Sequence, residues 1–293
     1  MPKKRCGAVS FLIWSSLALI TPSLAYAQVA SVTNYQDAVG VRTKTTYVDL
    51  LRMIFPDVEM DAAGGQDAAA AHQTIPLRHL LGDYSGKTYQ GEMKIESIER
   101  LQPQGQGQGQ LLLLVHVFGP DQFNWGKISV LALFQLEPAV KLLDAGDVQA
   151  DQSTSFWEEK SQLRISSQEE AVIVSSSHHN SSQSYLSLTL IATGGNKLST
   201  IFDLPTLLHS HDCGNNFSQT PSISALREAR GAHFNILVKV KMVKEADDES
   251  CQKRTRGYTR YYQSLLVWNP VKRQYESRDK GLTPLSRFNE KSY

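Results

Sequence analysis

Apolar and polar positions are most sharply organised from Leu111 to Leu136, where LLLLVHVF and ISVLALFQL flank a polar segment opening on Gly119-Pro120-Asp121. Runs of this length, rich in Leu, Val, Ile and Phe and bounded by turn residues, predict a β-hairpin. In the first strand Leu111, Leu113, Val115 and Val117 point one way and Leu112, Leu114 and Phe118 the other. A strand apolar on both sides predicts cover on both sides.

Period-two alternation recurs along the chain. Met93 and Ile95 alternate with Glu92, Lys94 and Glu96, and Leu163 and Ile165 with Gln162 and Arg164. Leu186, Leu188 and Leu190 precede a turn at Gly194-Gly195-Asn196. The cleanest case is Phe234, Ile236, Val238, Val240 and Met242 on one face against Asn235, Lys239 and Lys241 on the other. With AVKLLDAGD, AVIVSSS, KLSTIFDL, YTRYYQSLLVWNP and KRQYES, the total is about ten or eleven strands joined by short connections.

Helical spacing is confined to Tyr47, Leu50, Leu51 and Ile54, stopped by Pro56, with single turns expected around Leu77 to Leu81 and in the ISALREAR stretch beginning at Ile223. Residues 28–46 read as a loose leader, 205–231 as irregular and the C-terminus as a polar tail. No helix separates the strands regularly, so parallel βαβ architecture is excluded. The expected fold is mainly β: an antiparallel meander sheet folded into a sandwich, barrel or propeller-like arrangement, with a small partly helical N-terminal segment at 28–88 and the β domain at 89–293. No fixed-period repeat is present.

Residues 1–27 carry Lys3, Lys4 and Arg5, an apolar stretch from Ala8 to Ile20 and an Ala25-Tyr26-Ala27 cleavage pattern, which predict a signal peptide. The expected product is periplasmic or secreted, with no membrane span after cleavage. Cleavage moves the formal charge from +1 to −2, since 27 basic residues remain against 29 acidic ones. That balance argues against nucleic acid as a partner. Of the three cysteines, Cys6 leaves with the signal; in an oxidising compartment Cys213 and Cys251 are expected to pair. The bond closes about 38 residues, worth about 4 kcal/mol by loop entropy.

Candidate chemistry is sparse. His209 and His211 point to one side of an extended segment, and His178 or His179 could complete a zinc site. Asp144, Asp147 and Asp151 could hold calcium, although they lack the spacing of a dedicated loop. Glu158 and Glu159 beside Trp157 suggest a sugar site, but neighbours on a strand face opposite ways. Lys253, Arg254, Arg256 and Arg260 interleave with Tyr258, Tyr261 and Tyr262, a pattern that binds polyanions by charge and stacking. Glu245, Asp247, Asp248 and Glu249 lie just upstream. Asn180 and Asn216 match the glycosylation acceptor pattern. Motifs of serine, zinc-peptidase or phosphate-loop chemistry are missing. Two expectations follow: a non-enzymatic binding module meeting an envelope or extracellular partner such as an acidic glycan, or a metal-dependent hydrolase centred on His209 and His211.

Overall fold

The computed structural model describes residues 28–40, 43–60, 68–70, 77–81, 93–103, 109–118, 127–213, 215–227, 232–246 and 256–292. Two sheets, antiparallel except for one short parallel pair, are packed in a sandwich-like arrangement. The first contains β1 (Ala30–Ser31), β2 (Glu59–Met60), β3 (Ala68–Ala70), β4 (Arg78–His79), β5 (Met93–Leu101), β6 (Gln110–Phe118), β7 (Lys127–Gln135) and β8 (Lys141–Asp147). Its order is β2-β3-β5-β6-β7-β8-β4, with β1 also on β5. The second runs in chain order through β10 (Gln162–Arg164), β11 (Glu170–His179), β12 (Gln183–Ala192), β13 (Ser199–Asp212), β14 (Asn215–Leu226), β15 (Asn235–Lys244), β16 (Tyr258–Asn269) and β17 (Gln274–Ser277). The short β9 (Ser153–Phe156) adds to β11.

The hairpin expected from Leu111 to Leu136 is present as β6 and β7, in continuous register from Gln110↔Gln135 to Phe118↔Lys127. Both faces of β6 are covered. Leu111, Leu113, Val115 and Val117 join a core with Tyr35, Leu50, Leu51, Ile54 and Phe55, whereas Leu112 and Leu114 meet Phe156, Val172, Val174 and Ile191 of the second sheet. Each buried leucine contributes about 1.5–3 kcal/mol of transfer free energy. This second cluster is what holds the sheets together, and Arg78 reinforces it by donating to both Asp144 carboxylate oxygens (2.7 and 2.5 Å) and to the Leu198 carbonyl (2.5 Å).

The helix α1 (Tyr47–Ile54) forms where its spacing predicts. Thr46 N–H donates to the Asp49 carboxylate at 2.8 Å while Asp49 N–H donates to the Thr46 hydroxyl at 3.3 Å, a reciprocal cap. The supposed leader is packed, with Val32, Tyr35 and Val39 buried beneath that helix. Around Leu77 the chain forms β4, parallel to β8, and not a helical turn: Leu77 and Leu80 still bury, but Arg78 reaches Asp144.

Residues 205–231 differ most from expectation. The described residues as far as Leu226 complete β13 and form β14, so the ISALREAR stretch begins as strand, with Ile223 and Ala225 facing the core and Ser222 and Ser224 outward. Period two and a single helical turn are indistinguishable over so few residues. The polar tail contains a second helix, α2 (Thr283–Ser292), docked through Leu285 in the core, Phe288 edge-on to Phe217 and Asn289 accepting from the Gln219 amide at 2.6 Å.

The second sheet curls on itself. Ser166 bridges to His233, Phe234 N–H donates to the Ile165 carbonyl at 2.7 Å, and Tyr275 Oη donates to the Phe234 carbonyl at 2.9 Å. Its concave side holds a third core of Leu188, Leu190, Ile223, Ile236, Val238, Val240 and Leu266. Where β14, β15 and β16 lie side by side, the opposite side is open to solvent.

A candidate polyanion face on three strands

Strict alternation builds this face. In β15, Ile236, Val238, Val240 and Met242 are buried while Lys239 and Lys241 are exposed. Directly opposed residues of antiparallel strands share a side. The registers therefore place Thr220, Lys241 and Tyr261 in one row and Ser222, Lys239 and Gln263 in the next. All six are exposed, Tyr261 at 75%. Residues two apart on a strand are about 6.6 Å apart. The result is a patch carrying two cations, one aromatic ring and three hydrogen-bonding side chains.

Its charge has one sign. No Asp or Glu occurs in β14, β15 or β16, which carry Lys239, Lys241, Lys244 and Arg260. The acids that border these strands are engaged. Glu276 is ion-paired to Lys272 at 2.7 Å and accepts from Asn269 at 2.9 Å; the Lys272 contacts, then Asn269, hold its carboxyl below the usual range. Asp279 accepts backbone N–H groups of Gly281 (2.8 Å) and Leu265 (3.3 Å), which likewise lower its carboxyl. Glu245 accepts from the Asn216 amide at 3.2 Å. Asp247, Asp248 and Glu249 lie outside the described residues.

The basic cluster read from the sequence is distributed differently. Arg260 opposes Met242 on the other side of the sheet, its guanidinium 4.6 Å from the Tyr258 ring centre. Arg256 is exposed just before β16. Lys253 and Arg254 lie outside the described residues. The sequence pattern shows the lysines of β15 and, separately, Tyr261, but not that they are neighbours, because register across a hairpin with a long connection is not readable from spacing.

His209 and His211 do share a side, their rings stacked at 5.8 Å and 9°. His178 points elsewhere, its Nδ1 2.8 Å from Asp151 Oδ1. His179, its neighbour, pairs with Ser184, which in turn opposes His209. Among the described residues no three His, Cys, Asp or Glu side chains come together as a metal site. Asp144, Asp147 and Asp151 diverge to Arg78, His79 and His178 respectively. Trp157 is buried in the core while Glu158 and Glu159 are exposed on the following turn, so the three do not form a sugar platform.

One serine, histidine and carboxylate do meet between the sheets: His116 Nδ1 lies 3.0 Å from Ser129 Oγ, and Nε2 lies 3.5 Å from Glu99 Oε1. Ser129 is 1% exposed and donates its proton to Gln149 Oε1, so the imidazole is not withdrawing it and solvent does not reach it. The contact joins strands of the first sheet.

Among the described residues no helix is long and apolar enough to cross a membrane. Compared with known proteins, the chain matches no family model, no curated protein and no solved structure.

Proposed function

We propose that this chain is an exported, non-enzymatic binding module whose ligand is an acidic glycan held on the exposed side of β14, β15 and β16. The observation that carries the reading is the row Thr220, Lys241 and Tyr261 beside Ser222, Lys239 and Gln263, without a carboxylate in those strands. Lysines supply point charges for carboxylate or sulfate groups, the tyrosine ring packs against a sugar face, and the hydroxyl and amide groups exchange hydrogen bonds with sugar hydroxyls. A glycan is favoured over nucleic acid by the signal-like N-terminus and the net charge after its removal.

Export also provides for a Cys213–Cys251 disulfide. Cys213 follows β13, and Glu245 N–H donates to the Asn216 carbonyl at 2.9 Å, so the connection between β15 and β16 starts beside the β13–β14 turn. Cys251 itself lies outside the described residues.

The test is retention of the mature protein on immobilised alginate, a polyuronate, with amylose as neutral control. Wild type is retained on alginate alone, and Lys239→Ala/Lys241→Ala elutes with the void. Equal retention of both proteins removes the reading.

A further inference from the structure

We infer a second ligand site, in the cleft between the start of β9 and the strands β11, β12 and β13, built for an aliphatic polyamine. The cleft, about 650 Å3, is lined by Asp151, Asn180, Tyr185, Ser187, Pro205 and Thr206, among others. That volume lies within the range of small-molecule sites.

Hydrogen-bond direction decides the ligand class. Ser187 donates its hydroxyl proton to Asp203 Oδ1 at 2.6 Å, whereas Thr206, buried on the other side of the sheet, donates its own to the Leu186 carbonyl at 3.0 Å. The Asp203 carboxylate can only accept, so the Ser187 hydroxyl turns its lone pairs to its remaining neighbours. Asp151 binds His178 Nδ1 and the Gln152 N–H through Oδ1, at 2.8 Å each, which fixes the carboxylate with Oδ2 as a further acceptor. Asn180 adds an amide N–H, its oxygen being taken by the backbone N–H groups of Ser182 and Gln183 at 3.0 and 2.7 Å. The acceptors Asp151 and Ser187 thus stand beside the amide donor of Asn180, a carboxylate is present with His178 as its partner, and no Lys or Arg stands among the described lining residues.

A sugar hydroxyl, one donor with two lone pairs, can give each acceptor one proton but brings no charge to the carboxylate. An alkylammonium is all donor. Its methylenes pack on Pro205 and the Tyr185 ring, and its ammonium groups reach Asp151 and Ser187. The acceptors are held by partners of their own, so little ordering accompanies binding. The site carries the opposite charge preference to the lysine face and is independent of it.

Calorimetric titration of the full mature chain with spermidine at low salt tests this. Wild type binds one equivalent. Asp151→Asn weakens binding by roughly tenfold or more, as expected for losing a charge-assisted contact. Ser187→Ala, which changes no charge and leaves the backbone register intact, weakens it several-fold. Lys239→Ala/Lys241→Ala binds spermidine as wild type does. The inference is overturned if wild type gives no binding heat at millimolar spermidine, if Ser187→Ala titrates like wild type, or if neutral trehalose binds as tightly as spermidine.

Discussion

Leu113 and Leu114 are consecutive residues of β6, both 0% exposed, and they enter different cores. Replacing Leu114 by Ala opens a cavity between the sheets, bordered by Leu131, Leu133 and Val174. Replacing Leu113 opens one beneath α1. Lost transfer energy of three carbons plus incomplete collapse of the cavity amounts to about 3–4 kcal/mol in each case. With a urea slope of about 2–3 kcal/mol/M, each variant should unfold at about 1–2 M less urea. Equilibrium unfolding followed by tryptophan fluorescence and by circular dichroism measures both. The reasoning is refuted if Leu114→Ala costs under about 1 kcal/mol while Leu113→Ala costs the full amount, because the second sheet would then not be covering that side.

Four further outcomes follow from other contacts in the fold. Arg78→Ala leaves Asp144, 11% exposed, with its charge uncompensated; since Arg78 is itself 41% exposed the loss is about 2–3 kcal/mol, below that of a fully buried pair, and chemical denaturation reads it. Thr46→Ala removes the cap of α1 and costs about 1 kcal/mol. The Asp49 carboxyl is held below its ordinary range, first by the Thr46 backbone N–H, so its contribution is full above about pH 4 and fades as pH falls through the depressed folded value; unfolding curves at neutral and acid pH should show the penalty of Asp49→Ala shrinking. Burial, and then the negative Glu169, hold the Tyr275 phenol far above the usual tyrosine value. The folded chain keeps a proton the unfolded chain releases, so this contribution is complete below about pH 10 and lost above it; Tyr275→Phe should flatten the alkaline limb of stability against pH.

Much of the β architecture was legible because burial on one or two faces imposes a short period that survives in sequence. The β6–β7 hairpin, the meander through β11, β12 and β13, and β15 all follow from it. Strand pairing across distance was not legible: β4 joins β8 through a two-residue parallel ladder, and nothing in the residues around Arg78 announces Asp144 as a partner. The strand β14 was hidden because its outward residues are serine and threonine, which read as loop until Ile223 and Pro221 are seen to face the core. Helix α2 carried a start signal in Thr283-Pro284, overshadowed by the charge around it. The candidate face was half legible. Lys239 and Lys241 stand out by alternation, but Tyr261 joins them only through the register of β15 with β16, and that same register sends Arg260 to the opposite side.

The central claim is that cationic and aromatic side chains on one exposed side of β14 to β16 bind an acidic glycan. Its most direct test is the affinity of soluble alginate oligosaccharides for the mature protein as a function of salt, comparing wild type, Lys239→Ala/Lys241→Ala, Tyr261→Ala and Arg260→Ala. The account predicts wild-type affinity that falls with salt, a loss of roughly tenfold or more together with a shallower salt slope for the double lysine variant, a loss without change of slope for Tyr261→Ala, and no loss for Arg260→Ala. Salt-independent binding, or a loss confined to Arg260→Ala, would contradict it.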